Sequence, residues 1–251
     1  MTICKLCKQE KPLIKKSHII PDFLHKELYD QKHYIKKFNA KSFRLGITRI
    51  SKIPTGEYEG GMLCKECDGE KLGKYETYLG KILSNSDMPE EQKPICKKIR
   101  NGNGVEFMEI RNIDYKLLKL GLLTILWRSG ISTRKTFQEV KLGPYEEKIR
   151  KMLIEENPSN DNEIELVVLS WRNDRKMATD IIGQPRLHKT NGKIYYSIII
   201  NGYIILYFLS KNSIDNKFKS FRLKEDNTLS IVNLPQGYGM EFLLNYTGAL
   251  T

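Results

Sequence analysis

One histidine and four cysteines are the side chains whose types and spacing point to chemistry. Cys4-Lys-Leu-Cys7 and Cys64-Lys-Glu-Cys67 are paired Cys-x-x-Cys knuckles, and Ser17-His18-Ile19-Ile20-Pro21 follows the first of them. Four thiolates make the complete tetrahedral set of a structural zinc ion, with no position left open for water. Cys4, Cys7, Cys64 and Cys67 are therefore the expected Zn²⁺ ligands, and such an ion holds shape without doing chemistry. The chemistry falls to what the zinc positions, and His18 is the first candidate. An imidazole titrates near neutrality, which suits it to take a proton from water. Asp68 directly follows Cys67, with Glu70 and Glu76 further along the same expected helix. Glu76 lies about two turns beyond Asp68, on the same face. His25, His33 and His188 have no partner pattern and are expected at the surface, and Cys96 is left over as a free thiol.

The elements that must position these groups follow from local signals. Residues 1–16 read as a knuckle and a short basic strand, and 17–23 as a strand end that Pro21 closes. A helix is expected over 22–32, a turn at Gly60-Gly61, and a second helix over 68–83 with Leu72, Tyr75, Leu79, Ile82 and Leu83 on one side. The polar run with Ser86, Pro89 and Pro94 predicts a linker over 85–100, separating a domain at 1–84 from one at 101–251. In the second domain, 104–110 alternates like a strand, and 114–130 is an apolar helix with Asp114 at its start. Pro144 opens another helix over 144–156, 165–171 is a buried strand, and 174–182 is expected as a short helix. Asn191-Gly192 and Asn201-Gly202 separate β-rich runs at 186–190, 193–200 and 203–209, which predicts an antiparallel meander. Trp127 and Trp171, set among apolar neighbours, are expected as core anchors.

Charge narrows the partners. The 251 residues carry 42 Lys and Arg against 30 Asp and Glu, a net +12. Residues 1–56 hold 13 of the basic and 4 of the acidic side chains. A polyanion, and nucleic acid first, is the expected partner. The stretches Leu117–Trp127 and Tyr195–Leu209 are interrupted by Lys119 and by Asn201-Gly202, and fall short of the roughly 18 apolar residues of a membrane span. Cysteines spaced for metal suit a reducing, cytoplasmic compartment.

The strand end Ser17-His18-Ile19-Ile20-Pro21, set between two knuckles of which the second reads Leu63-Cys64-Lys65-Glu66-Cys67-Asp68-Gly69-Glu70-Lys71, resembles the HNH branch of the His-Me finger endonucleases. The elements read above make the chain α+β, with a mixed domain of buried helices and an antiparallel β-meander over 101–251. The resemblance covers about residues 1–83 and implies a zinc-bound treble-clef or ββα-metal-like domain there. It further implies hydrolysis of DNA phosphodiesters with His18 as general base, Asn39 orienting that base, and Asp68, with Glu70, holding a catalytic Mg²⁺ or similar ion. Ser17 stands where the family commonly has an aspartate ligand, and Asp68 where it has His or Asn. A catalytically decayed zinc-finger protein, binding nucleic acid or acting as an adaptor, is the alternative. Residues 101–251 carry no catalytic motif and are expected to bind a protein partner or a second copy of the chain; by analogy, a nuclease so joined suits an effector of bacterial anti-phage defence.

Overall fold

The computed structural model describes residues 2–38, 50–84, 88–190, 193–210 and 214–247. In its N-terminal part, β1 (Thr2–Ile3) and β2 (Glu10–Lys11) pair antiparallel, which puts the first cysteine pair in the turn between them. Strand β3 (Ser17–His18) leads into a 3-10 segment, Asp22–Leu28. The helix expected over 22–32 is thus shorter and tighter: among its described side chains only Leu24 and His25 are buried, and the chain turns extended at Tyr29. A hairpin of β4 (Ile35–Phe38) and β5 (Ile50–Ile53) follows, then β6 (Tyr58–Glu59), which returns antiparallel to β3 with His18 opposite Tyr58. The next helix opens with a wide π-type turn, Glu66–Leu72, and continues as α1 (Gly73–Ser84).

Residues 95–100, expected in a linker, instead form β7 (Ile95–Arg100), paired antiparallel with β8 (Glu106–Arg111) at one edge of a seven-stranded sheet. Pro94 precedes the strand and does not interrupt it, so its ring costs no ladder hydrogen bond. The helix α2 (Tyr115–Ile131) is capped by the Asp114 carboxylate, which accepts from the Leu117 N–H at 2.8 Å. Helix α3 (Pro144–Ile154) begins at its proline as expected. The sheet is completed by β9 (Glu165–Ser170), β10 (Arg186–Thr190), β11 (Lys193–Ile200), β12 (Tyr203–Phe208) and β13 (Leu229–Asn233) in the order β10-β11-β12-β9-β13-β8-β7. All its pairings are antiparallel except β13 with β9. Asn201 and Gly202 both have positive φ, at 49° and 82°, as a type I′ hairpin requires. The short helix expected over 174–182 is replaced by turns, in which Asp174 accepts the N–H groups of Lys176 and Gly237. A four-residue helix α4 (Asn216–Lys219) and the terminal α5 (Tyr238–Thr247) follow.

The central strands are buried on both faces, with alternate residues serving different cores. Leu166, Val168, Ile198, Ile205 and Tyr207 face the layer of α2 and α3, whereas Val167, Leu169, Ile199, Ile204 and Leu206 pack with Trp171 and Tyr246 on the far side. The first of these cores does not break at residue 84. Cys4, Leu6, Leu63, Tyr75 and Leu79 belong to the same buried cluster as Leu123, Trp127 and Ile198. Gly121 makes this possible, because a Cβ there would sit 3.0 Å from the Tyr75 carbonyl oxygen; its absence lets α2 cross α1 closely. Lys119, the charge within that apolar helix, is buried and donates to the Tyr115 hydroxyl and the carbonyls of Asn160 and Glu163. Burial lowers its pKa to about 8. Among the described residues no helix is long and apolar enough to cross a membrane.

Candidate zinc centre and the histidine it positions

The fold draws the two knuckles together. The Sγ atoms of Cys4, Cys7, Cys64 and Cys67 all lie within 4.8 Å of one another, three of the residues buried and Cys7 partly so. Tetrahedral zinc with bonds of about 2.3 Å spaces its sulfurs at about 3.8 Å, so the cluster is already near the required shape. One pair sits in the β1–β2 turn and the other where the chain enters the π-type turn, and the Cys64 N–H donates to Cys4 Sγ at 3.4 Å. Burial pushes the Cys4 thiol up, but the backbone N–H groups of Cys7, Cys64 and Leu6 outweigh it and its pKa falls to about 7. Burial holds Cys64 and Cys67 above the usual thiol range; the Cys4 sulfur adds to the rise at both, whereas hydrogen bonds with Cys67 pull Cys64 back down. Crowded thiols of this kind lose their protons to a bound cation, so the set fits one Zn²⁺.

His18 stands at the end of β3 on the partly open side of this unit, its side chain 29% exposed. Its Nε2 lies 3.1 Å from Thr55 Oγ1 and 3.6 Å from Asp22 Oδ1. The Thr55 hydroxyl donates to Asp22 Oδ1 at 3.4 Å, and Tyr29 donates to the same oxygen at 3.1 Å. With the Thr55 proton directed at the carboxylate, its oxygen can accept from the imidazole in the tautomer that carries the ring proton on Nε2. Nδ1 then carries the free lone pair. The Tyr58 ring meets the imidazole edge-on at 6.1 Å, and Lys16 and Arg134 lie over that tyrosine at 5.1 and 5.5 Å. Positive charge is therefore adjacent to the histidine, with Arg134 also 4.0 Å from a Glu57 carboxylate oxygen.

Asp68 is brought against this strand, but in a different role from the expected one. Ser17 donates its hydroxyl to Asp68 Oδ1 at 2.6 Å, tying β3 to the start of the helix. The same oxygen accepts from Arg128 Nη2 at 3.0 Å, and Arg128 Nη1 donates to the His18 carbonyl. The guanidinium is only 2% exposed. Glu76 Oε1 lies 2.8 Å from Arg128 Nη2, yet no N–H is aimed at it, and that buried oxygen has no hydrogen-bond donor among the described residues. Burial accordingly raises Glu76 to about 7, against a weaker pull from Arg128 and with a smaller push from Asp68.

This arrangement does not fit the expected Mg²⁺ site. Asp68, the first expected ligand, already accepts from the Arg128 guanidinium and from Ser17, whose neutral hydroxyl is itself a weak ligand for a divalent ion. Glu70, the other expected ligand, is exposed and not joined to the network. Asn39, expected to orient His18, lies outside the described residues; Thr55 and Asp22 do the orienting among those described.

Two histidines expected at the surface are drawn inward. Burial lowers the pKa of His25, whose Nδ1 lies 3.3 Å from the Pro21 carbonyl, and His188 stacks on Tyr195 with its Nε2 2.6 Å from Ser197 Oγ. His33 remains exposed. Arg128, Asp22 and Thr55 were not singled out from the sequence. A lone arginine following Trp127 in an otherwise apolar helix, and a carboxylate four residues beyond His18, were the available signals. No family profile, curated protein or solved structure matches the chain.

Proposed function

We propose that the chain is an HNH-like endonuclease acting on DNA, its N-terminal unit a zinc-held treble clef of the ββα-metal kind. The observation that supports this most is the closure of Ser17-His18 and Tyr58-Glu59 onto the following helix through Ser17 and Asp68, which leaves the His18 imidazole partly open beside Asp22. With Nε2–H held by Thr55, Nδ1 takes a proton from a water that attacks phosphorus, the opposite ester P–O bond breaks with its oxygen taking a proton from solvent, and Asp22 stabilises the imidazolium that results. Lys16 and Arg134, over the Tyr58 ring beside His18, are the cations this reading assigns to the phosphate backbone. No step is assigned to a divalent ion, because Arg128 already pairs with Asp68 and Glu70 stands apart from it.

That same guanidinium favours a second reading, a protein that binds nucleic acid and leaves it intact. Zinc-loaded protein incubated with supercoiled plasmid, with and without Mg²⁺ or Mn²⁺, separates the two. Nicking that disappears in His18→Ala while zinc content and salt-dependent binding persist supports the endonuclease. Binding without nicking under every condition supports the second reading, and absence of both removes nucleic acid as the partner.

A further inference from the structure

A cavity of about 410 Å³ opens where the N-terminal unit meets the sheet and α5, between the segment that follows His18, the β4–β5 hairpin and the terminal helix. Its walls are mostly apolar, with Leu28, Ile53, Phe137, Ile182 and Leu243 among them. The volume lies within the range of small-molecule sites, which combine apolar lining with a few polar groups that fix orientation. Three lysine and arginine side chains line it, and with Lys37 paired to Glu57, also in the lining, Arg186 and Lys36 are left to supply that polarity. Arg186 lines the cavity and reaches Glu139 through Nη1 alone, at 2.7 and 2.6 Å to the two carboxylate oxygens. Its Nε is buried with no acceptor among the described residues. Lys36 also lines the cavity, is exposed at its edge, and has no side-chain partner among the described residues.

A buried N–H without an acceptor costs free energy that a ligand oxygen would recover. An anionic oxygen recovers more than a neutral one, since the bond becomes charge-assisted and Lys36 adds a second positive charge. From the cavity, the orphaned Arg186 Nε–H and the free Lys36 together, we infer that this site binds a small amphipathic monoanion, its carboxylate at Arg186 and Lys36 and its hydrocarbon body against Leu28, Phe137 and Leu243. Asp180, which also lines the cavity, disfavours a second negative charge on the ligand. The wall formed by Ile20, His25 and Leu28 belongs to the segment that carries Asp22, so an occupant would press on the element that orients His18.

Titration calorimetry of the full chain with decanoate, and with decanol as its uncharged counterpart, tests the inference without any nuclease readout. Decanoate is expected to bind one per chain and at least tenfold more tightly than decanol. Arg186→Met and Lys36→Ala should each weaken decanoate severalfold or more and leave decanol unchanged, whereas Leu243→Trp, which fills the cavity, should abolish both. Lys36 is exposed, so its variant folds even if the others do not. Equal affinities for the two probes, decanoate binding insensitive to Lys36→Ala, or no binding of either probe would overturn the proposal.

Discussion

Arg128→Met is expected to destabilise the folded chain by about 3 kcal/mol near pH 8, at the low end of the range for breaking a buried ion pair. The magnitude follows from the surroundings. The guanidinium is 2% exposed, but Asp68 and Glu76 are 24% and 20% exposed, so water recovers part of what the carboxylates lose. The His18 carbonyl also gives up a donor, worth about 1 kcal/mol, and methionine keeps most of the apolar stem packing. The loss should depend on pH with a definite sign. In the native chain Glu76 titrates at about 7, above its ordinary 4.5, so the stability it contributes is fully present below 4.5 and is lost as pH rises through 7. Without Arg128 its folded pKa climbs further, and the decline becomes deeper and extends to higher pH. Urea unfolding of zinc-loaded protein at pH 5 and pH 8, with zinc content measured alongside, gives the comparison. A loss below 1 kcal/mol at pH 8, or the same loss at both pH values, would refute the reasoning that Arg128 is the cation for these two carboxylates.

Two other outcomes are expected. Glu76→Gln should stabilise the chain at pH 8 by up to about 3 kcal/mol, the worth of a shift from 4.5 to about 7, with the gain vanishing near pH 4.5; a gain that is flat across this pH range in denaturant titrations would contradict the assignment. Atomic absorption should find one zinc per chain, and Cys64→Ser should lower both that stoichiometry and the thermal midpoint by on the order of 10 °C; a metal-free chain of unchanged midpoint would show that the sulfurs are not a structural centre.

Local signals determined a good part of this protein. The Cys-x-x-Cys spacing identified a four-sulfur cluster before any geometry was known, since two residues between cysteines let both thiols of one turn face the same point. Asp114 announced the start of α2, Pro144 that of α3, and Asn201-Gly202 set the β11–β12 register, because each acts on the backbone within a turn of itself. The 174–182 helix and the 95–100 linker were misread for the same reason inverted. Nothing nearby reveals that Asp174 spends its carboxylate on two backbone N–H groups, or that β8 waits to pair with residues 95–100.

The sequence by itself determined which side chains could bind metal or move a proton. Only the tertiary structure decided what surrounds them. Arg128 lies 110 positions from His18 and 60 from Asp68 along the chain, yet donates to both. Asp22 faces His18 only because β3 ends in a 3-10 turn, and Arg186 reaches the same cavity as Lys36 only because the β4–β5 hairpin lies beside the sheet. Spacing along a chain fixes neighbours within a turn or a hairpin, whereas burial, charge pairing and empty volume depend on which distant elements pack together.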